Sequence, residues 1–426
     1  MAYLFFYSAI HKKTVLLFVS KKMKEKLSRK HLIVLIALCG MLASSVGLVQ
    51  NVAGIFFDPL AESLGVGRGP VALTLTIYVL LSAFGSLFFN RLIRCIEAEK
   101  VVFVSAVLLI AGTFLSGFSN NLFTLYLFSI MRGLGGGFVH IVIASLYINN
   151  WFEKNNALMA SIAMACSGAA GALFSPLLSF VVENYGFRIG YFVNGALMFL
   201  LCAPLLFLGV TYTPEKQGLK PYGYTENKTK QSSEYGNEEE SGNFIFVLVL
   251  IYSIIVGFLT CVPQFFPGHV AKLNYAVSVG SLMVSMSMVA NIVAKISFGA
   301  LSDKIGPKKS ILITSAIALI GTLFLLLDIN MYIGAFCYGF CFANSTVGLT
   351  ALTREQFPLK DYVKKYPFIS FISTIVNAFG SPIAGFVYDQ SGSYTPVFVT
   401  CLVMLVILFG VDFTIMAENR KKEGKR

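Results

Sequence analysis

Charge is what this 426-residue sequence has least of: 13% of it is Asp, Glu, Lys or Arg, against 56% apolar residues that include 39 Phe. A soluble domain is excluded, because that much apolar surface cannot be hidden inside one globule, whereas a bilayer solvates it. Acids are scarcer than bases, 21 against 33. No paired carboxylates, Ser/His/Asp order or metal-ligand spacing falls within the apolar runs, which leaves no basis for an enzyme, a metal or a resident cofactor. The eight Cys stand singly in apolar stretches, apart from Cys337 and Cys341 one helical turn from each other. Neither a disulfide framework nor a thiolate metal site is expected from that spacing.

What is abundant is long apolar runs. A spanning helix needs ~20 apolar residues, and twelve such spans are predicted, at 31–57, 70–93, 100–118, 121–149, 156–183, 188–210, 243–268, 276–301, 308–327, 330–353, 366–389 and 394–416. The fold class is therefore an all-α membrane protein of twelve transmembrane helices. Its expected parts are a basic segment at 1–30, a six-helix bundle at 31–210, a polar linker at 211–242, a second six-helix bundle at 243–416 and a basic tail at 417–426. Within the first part, residues 1–22 mix apolar patches with Lys12, Lys13, Lys21 and Lys22, and Met23 opens a conventional basic leader. They read as a mis-assigned start or a surface-lying segment, not a signal peptide.

A net charge of +12 raises the question of nucleic acid, and the placement of the bases answers it. Of the 33 Lys and Arg, 28 fall in alternate loops and the ends, while the opposite loops hold only Arg68, Arg188 and Lys272. By the positive-inside rule both termini and the linker are cytoplasmic, in a multi-pass protein of the plasma (inner) membrane. The bases face the lipid bilayer, and no nucleic acid partner is implied; a monomer is expected.

Six spans, linker, six spans points to an internal repeat. A shift of 206 residues lays Ser175-Pro176 on Ser381-Pro382, Phe180-Val181 on Phe386-Val387, Gly186 on Gly392 and Phe192-Val193 on Phe398-Val399. Such a parallel repeat predicts two bundles about an axis along the membrane normal, with a central cavity between them.

Between spans eight and nine stands Gly299-Ala-Leu-Ser-Asp303-Lys304-Ile-Gly306-Pro307-Lys308-Lys309. In this reading Gly299 lets a neighbouring helix approach, Asp303 faces a helix N-terminus or a Lys, Gly306 makes a tight reversal, and Lys308 and Lys309 meet the anionic leaflet. The stretch resembles the cytoplasmic loop signature of the major facilitator superfamily, and these residues are its gating-loop candidates. The first half repeats it only in degraded form, with Asn90, Arg94 and Glu97 at the positions of the Gly, the Asp and the second Gly.

Span four carries Arg132-Gly-Leu-Gly135-Gly136-Gly137-Phe-Val-His140, similar to the superfamily's span-four Arg/Gly pattern. Its glycines serve close helix contact, since no strand precedes them and no Lys-Ser/Thr follows. Arg132, deep in hydrocarbon, faces either the substrate path or carbonyls of span one. His140 is either a packing residue or a proton carrier. Downstream, Asn150-Trp151-Phe152-Glu153, Ser167-Gly168, Tyr185-Gly186-Phe187-Arg188 and Gly385-Phe-Val-Tyr-Asp389-Gln-Ser-Gly392 resemble the monocarboxylate porter and oxalate/formate antiporter branch.

That resemblance implies a secondary transporter whose span-eight cation pairs with a substrate carboxylate. Here the position holds Lys295, with Asn291 one turn deeper on the same face; the alternative is an amine that snorkels to the surface. Where the monocarboxylate porters carry an Asp before the cation and a Lys in span one, this chain has Asn291 and Asn51, with Gln50 beside the latter. Asn cannot titrate, so coupling is left open between a proton and a counter-transported anion. One central cation favours a singly charged substrate, a small organic anion of the monocarboxylate kind. Asn377, with Gln264, His269 and Asn344, completes the polar set expected near the cavity. The alternative cargo, on the same fold, is a lipophilic or drug-like compound to be exported.

Overall fold

The computed structural model describes residues 28–224 and 243–423. The readings of residues 1–22, of most of the basic N-terminal segment, of linker residues 225–242 and of the last three residues lie outside that range. The first span is α1 (Arg29–Leu42), a π-helical stretch (Ala43–Asn51) and α2 (Gly54–Leu64). Then follow α3 (Arg68–Leu92), α4 (Ala98–Leu115), α5 (Leu122–Gly136), α6 (Ile141–Trp151) and α7 (Asn156–Phe207). After the linker come α8 (Asn243–Leu259), α9 (Phe266–Lys272), α10 (Val277–Ile305), α11 (Pro307–Leu326), α12 (Met331–Tyr338), α13 (Leu349–Gln356), α14 (Leu359–Ser391) and α15 (Thr395–Glu423).

Eleven helical stretches among the described residues are long and apolar enough to cross a membrane. One of them, Leu158–Phe207, has 50 residues; at ~1.5 Å per residue it would be more than twice as long as a ~30 Å hydrocarbon core. It is bent at Gly186, whose φ of 81° and ψ of 166° are not helical, so it makes two crossings and the total is twelve. The repeat partner Gly392 also has a positive φ, 65°. Each glycine closes the last hairpin of its half, in a backbone region that side chains avoid.

With twelve crossings, Arg29, Phe207, Asn243 and Glu423 share one end of the bundle, here the terminal end; the opposite one is the far end. Asn121 and Asn330 open α5 and α12 at the far end by accepting the Thr124 and Ile333 N–H groups at 2.9 and 3.2 Å, which satisfies orphan donors of the first turn. At the terminal end the start of the linker is tied to the first half. Trp151 Nε1 donates to the Thr211 carbonyl at 2.9 Å, Tyr222 N–H to the Trp151 carbonyl at 2.8 Å, and Lys216 pairs with Glu99 at 2.9 Å.

Small residues set the helix spacing within the first half. A Cβ on Gly135 would lie 2.6 Å from the Ser105 carbonyl oxygen of α4, and one on Gly137 2.9 Å from Gly85 Cα of α3. The span-four glycines thus do serve close helix contact. Gly299 does not: an added Cβ there meets nothing within 4 Å, so the expected close approach at this position is corrected. Gly306, with φ 85°, does reverse the chain between α10 and α11. The two halves meet where α14 lies along α3 and where α10 lies along the first limb of α7.

Candidate functional site

The first, fourth, seventh and tenth spans are the ones that break helical regularity. The π-helical stretch interrupts the first, residues 137–140 the fourth, a 3-10 turn over Val262–Phe265 the seventh, and residues 339–348, π-helical from Asn344, the tenth. Irregular backbone at membrane depth survives only where protein or a water-filled path surrounds it. Two such spans stand in corresponding places of each half, which makes their surroundings the candidate site. The sequence pattern treated all four as continuous helices, because apolar runs do not report a local change of hydrogen-bond register.

Polar side chains collect at these breaks. Gln50, at the end of the π-helical stretch, is hydrogen-bonded through its amide nitrogen to His140 Nε2 at 3.2 Å. His140 is extended and stands just before the first residue of α6. Asn51 Nδ2 donates to the Ser167 carbonyl of α7 at 3.1 Å. On the other half, Asn377 Nδ2 of α14 donates to Thr260 Oγ1 at 2.9 Å, at the break in the seventh span.

Asn51 also marks where the halves touch. A Cβ added to Gly171 would meet Asn51 Cβ at 3.0 Å and Met288 Cγ of α10 at 3.1 Å, and one on Gly168 would meet Ile292 at 3.2 Å. Ser285 of α10 donates to the Ala172 carbonyl at 2.7 Å. Between Met288 and Ile292 the contact leads directly to Asn291, and one turn on to Lys295. Asn291 is buried and its Oδ1 has no hydrogen-bond partner. Lys295 is part-exposed, and among the described residues no carboxylate lies within ion-pairing distance of it. The structure thus brings Gln50 and His140 together and puts Asn51 at the seam, while Asn291 and Lys295 stand on α10, the helix that meets α7 there.

Arg132 lies elsewhere. It is 6% exposed and lines a cavity of about 20 Å³ bounded by first-half residues alone, among them Thr74, Tyr78, Tyr191 and Asn194. Its Nη2 donates to Ser129 Oγ at 2.7 Å, not to carbonyls of span one, and its Nε has no partner. The Asn194 Oδ1 is also unpartnered. An orphan donor and an orphan acceptor lining a space of this size suit one bridging water. Asn344 likewise turns inside its own half, donating to Ser315 Oγ at 2.9 Å. His269 sits near the far end, 3.2 Å from Asp328 Oδ1, and Gln264 is buried against Ser381.

Of the gating-loop candidates, Lys308 departs from expectation. Its side chain is 13% exposed and reaches Glu355 of α13 at 3.1 Å, so it faces protein, while Lys309 is exposed. The Asp303 side chain lies outside the described residues.

The far end holds a group that sequence reasoning missed. Asp389 of α14 accepts the backbone N–H groups of Arg68 and Gly69, both at 2.9 Å, across the halves. These are first-turn donors of α3 with no partner inside the helix. The Arg68 guanidinium pairs with Asp58 and lies 3.6 Å from the Tyr388 ring centre. Thr76 donates to the Ala378 carbonyl at 2.6 Å, and a Cβ on Gly385 would lie 2.8 Å from Gly69 Cα. The halves are locked together at the far end.

Known proteins resemble this chain in sequence and fold. A family model described as Major Facilitator Superfamily matches residues 33–276 and 245–426. Monocarboxylate transporter 12 of Mus musculus is 23% identical over 357 residues, covering 76% of this chain and 72% of the relative. Monocarboxylate transporter 2 of Rattus norvegicus is 23% identical over 402 residues, covering 87% and 82%. The crystal structure of the nucleoside transporter NupG, as a point mutant, superposes with a TM-score of 0.68 at 12% identity, over 91% of this chain and 99% of that one. With the family model spanning nearly the whole chain, twelve crossings and broken spans in matching places of both halves, this chain is a multi-pass membrane protein that belongs to the Major Facilitator Superfamily, a family of transporters and not of enzymes.

Proposed function

We propose that the chain is a secondary active transporter of a small monovalent organic anion, a monocarboxylate, in the plasma membrane with its terminal end in the cytoplasm. The observation that carries this reading is Lys295, an amine on a helix at the seam between the halves with no anionic partner among the described residues. A buried or half-buried cation in a membrane bundle is stabilised by a counter-charge that protein or cargo supplies. The polar side chains of the broken spans and the seam, Asn291, Asn51, Gln50, His140 and Asn377, offer hydrogen bonds and no fixed negative charge. The relatives, monocarboxylate transporters by name, agree with a singly charged carboxylate.

Alternating access supplies the mechanism. The far-end lock of Asp389 on the α3 N-terminus holds one gate shut, and the cargo exchanges with the terminal end while it holds. Rocking of the halves breaks those hydrogen bonds and exposes the seam to the far end, with the Gly306 reversal and the Lys308–Glu355 pair moving at the opposite gate.

Uptake of radiolabelled lactate, pyruvate and formate into proteoliposomes tests the cargo class, with Lys295→Ala as the paired variant. Saturable uptake of at least one acid by the parent and its loss in the variant are expected. Uptake of none of them, together with Lys295-independent efflux of lipophilic dyes, would instead select the exporter reading.

A further inference from the structure

Among the described residues, the carboxylate that is wholly buried in a span is Asp412 of α15. It is 0% exposed, and neither Oδ1 nor Oδ2 has a hydrogen-bond partner. It stands eleven residues from Glu423, or ~16 Å along the helix from the terminal end. Val411 and Ile415 beside it and Leu408 one turn before it are buried apolar residues.

The charged groups that face this carboxyl are few. From α11, against which α15 packs, Lys308 acts on it, and from α13 Glu355 does. From α8, the second helix packed against it, the fully buried Tyr252 faces it, with its hydroxyl already donated to the Asn344 carbonyl at 3.0 Å. Among the described residues no charged group of α14 acts on it, and the one cation that does, Lys308, is committed to Glu355 at 3.1 Å.

An ionised carboxylate without a single donor in an apolar bundle is heavily destabilised, whereas the neutral acid forfeits only weak hydrogen bonds. We infer that Asp412 is a proton-binding site, occupied while Lys308 holds Glu355 and emptied when Lys308 turns to Asp412 instead. In that exchange the Asp412 O–H bond breaks, its electron pair stays on the carboxylate and the proton leaves to water at the terminal end. The Lys308 ammonium keeps its own protons and supplies the counter-charge. Glu355 is left alone, which its position allows, since 36% of its side chain is exposed. The site would make a proton the ion that responds to movement of the loop between α10 and α11. Its link to transport rests on the function proposed above; proton occupancy does not.

Infrared spectroscopy of the full-length protein in lipid, at neutral pH and with ¹³C-carboxyl aspartate for assignment, reads the occupancy directly and requires no cargo. The parent is expected to show the carbonyl stretch of a protonated aspartic acid in an apolar setting, lost in Asp412→Asn. Glu355→Gln, which frees Lys308, is expected to abolish the same band while the chain remains folded. This second variant serves if Asp412→Asn does not assemble. A parent without the band, a band that survives Asp412→Asn, or one indifferent to Glu355→Gln would overturn the inference. None of these outcomes depends on which molecule is carried.

Discussion

Lys295 and Arg132 are the two bases placed inside spans, and their surroundings separate their roles. Lys295 stands on α10 with no carboxylate within ion-pairing distance among the described residues, so under the proposed function its removal takes away the counter-charge of the cargo. Truncating one member of a desolvated charge pair costs about 2 kcal/mol or more, ~30-fold in affinity. Thermal-shift titration with the transported acid is expected to show that loss for Lys295→Ala and a smaller one for Lys295→Arg. Arg132 fills the core of the first half beside a one-water cavity. Arg132→Gln is therefore expected to lower the melting temperature by several degrees while apparent affinity changes less than about threefold, the range of ordinary second-order effects. An affinity loss as large as that of Lys295→Ala would place Arg132 on the cargo instead. Both positions were visible in the sequence as charges in apolar runs. Which of them met the interface depended on helix rotation, and nothing in a linear pattern records that.

At the scale of elements, the contact of α14 with α3 decides the state of the far end. Asp389 contributes two charge-assisted hydrogen bonds to the N-terminal turn of α3; because the carboxylate is exposed, solvent screening reduces their joint worth to about 1–2 kcal/mol. Asp389→Ala is expected to shift the equilibrium toward far-end opening. In a cysteine-free background with a reporter cysteine lining the seam, far-end alkylation should accelerate about tenfold, the equivalent of ~1.4 kcal/mol; an unchanged rate would show that the lock is redundant. Gly385→Val should act in the same direction by a different route, since its side chain would collide with Gly69. The same shift of 206 residues lays Glu183 on Asp389, which in sequence is only a similarity between halves. That the second copy caps a helix of the first could not be read from it, because the partner lies more than three hundred residues away in sequence.

For the whole molecule, two bundles are joined by a linker whose described part is tied to the first. Thr211, Tyr212, Lys216 and Tyr222 all bond to residues of the first half. The chain divided after Tyr224 should consequently reassemble when residues up to 224 and from 243 onward are co-expressed, because α14 with α3 and α10 with α7 supply the joining surface. Copurification of the two pieces with a melting temperature within a few degrees of the parent is the expected result. Pieces that stay separate would mean that the linker, not the helix contact, holds the halves.

Composition and periodicity alone determined the membrane class, the number of crossings and the doubling of the fold, since apolar length and repeated turn residues are local properties that a bilayer reads directly. The loop from Asp303 to Lys309 and the span-four glycines were legible for the same reason. Only the tertiary structure decided that Lys308 turns inward to Glu355, that Gly299 borders open space, that Arg132 and Lys295 occupy different surroundings, and that Asp412 is sealed from water with no donor. These depend on which face of a helix meets which neighbour, and burial of a charge is defined by those neighbours and not by the residue that carries it.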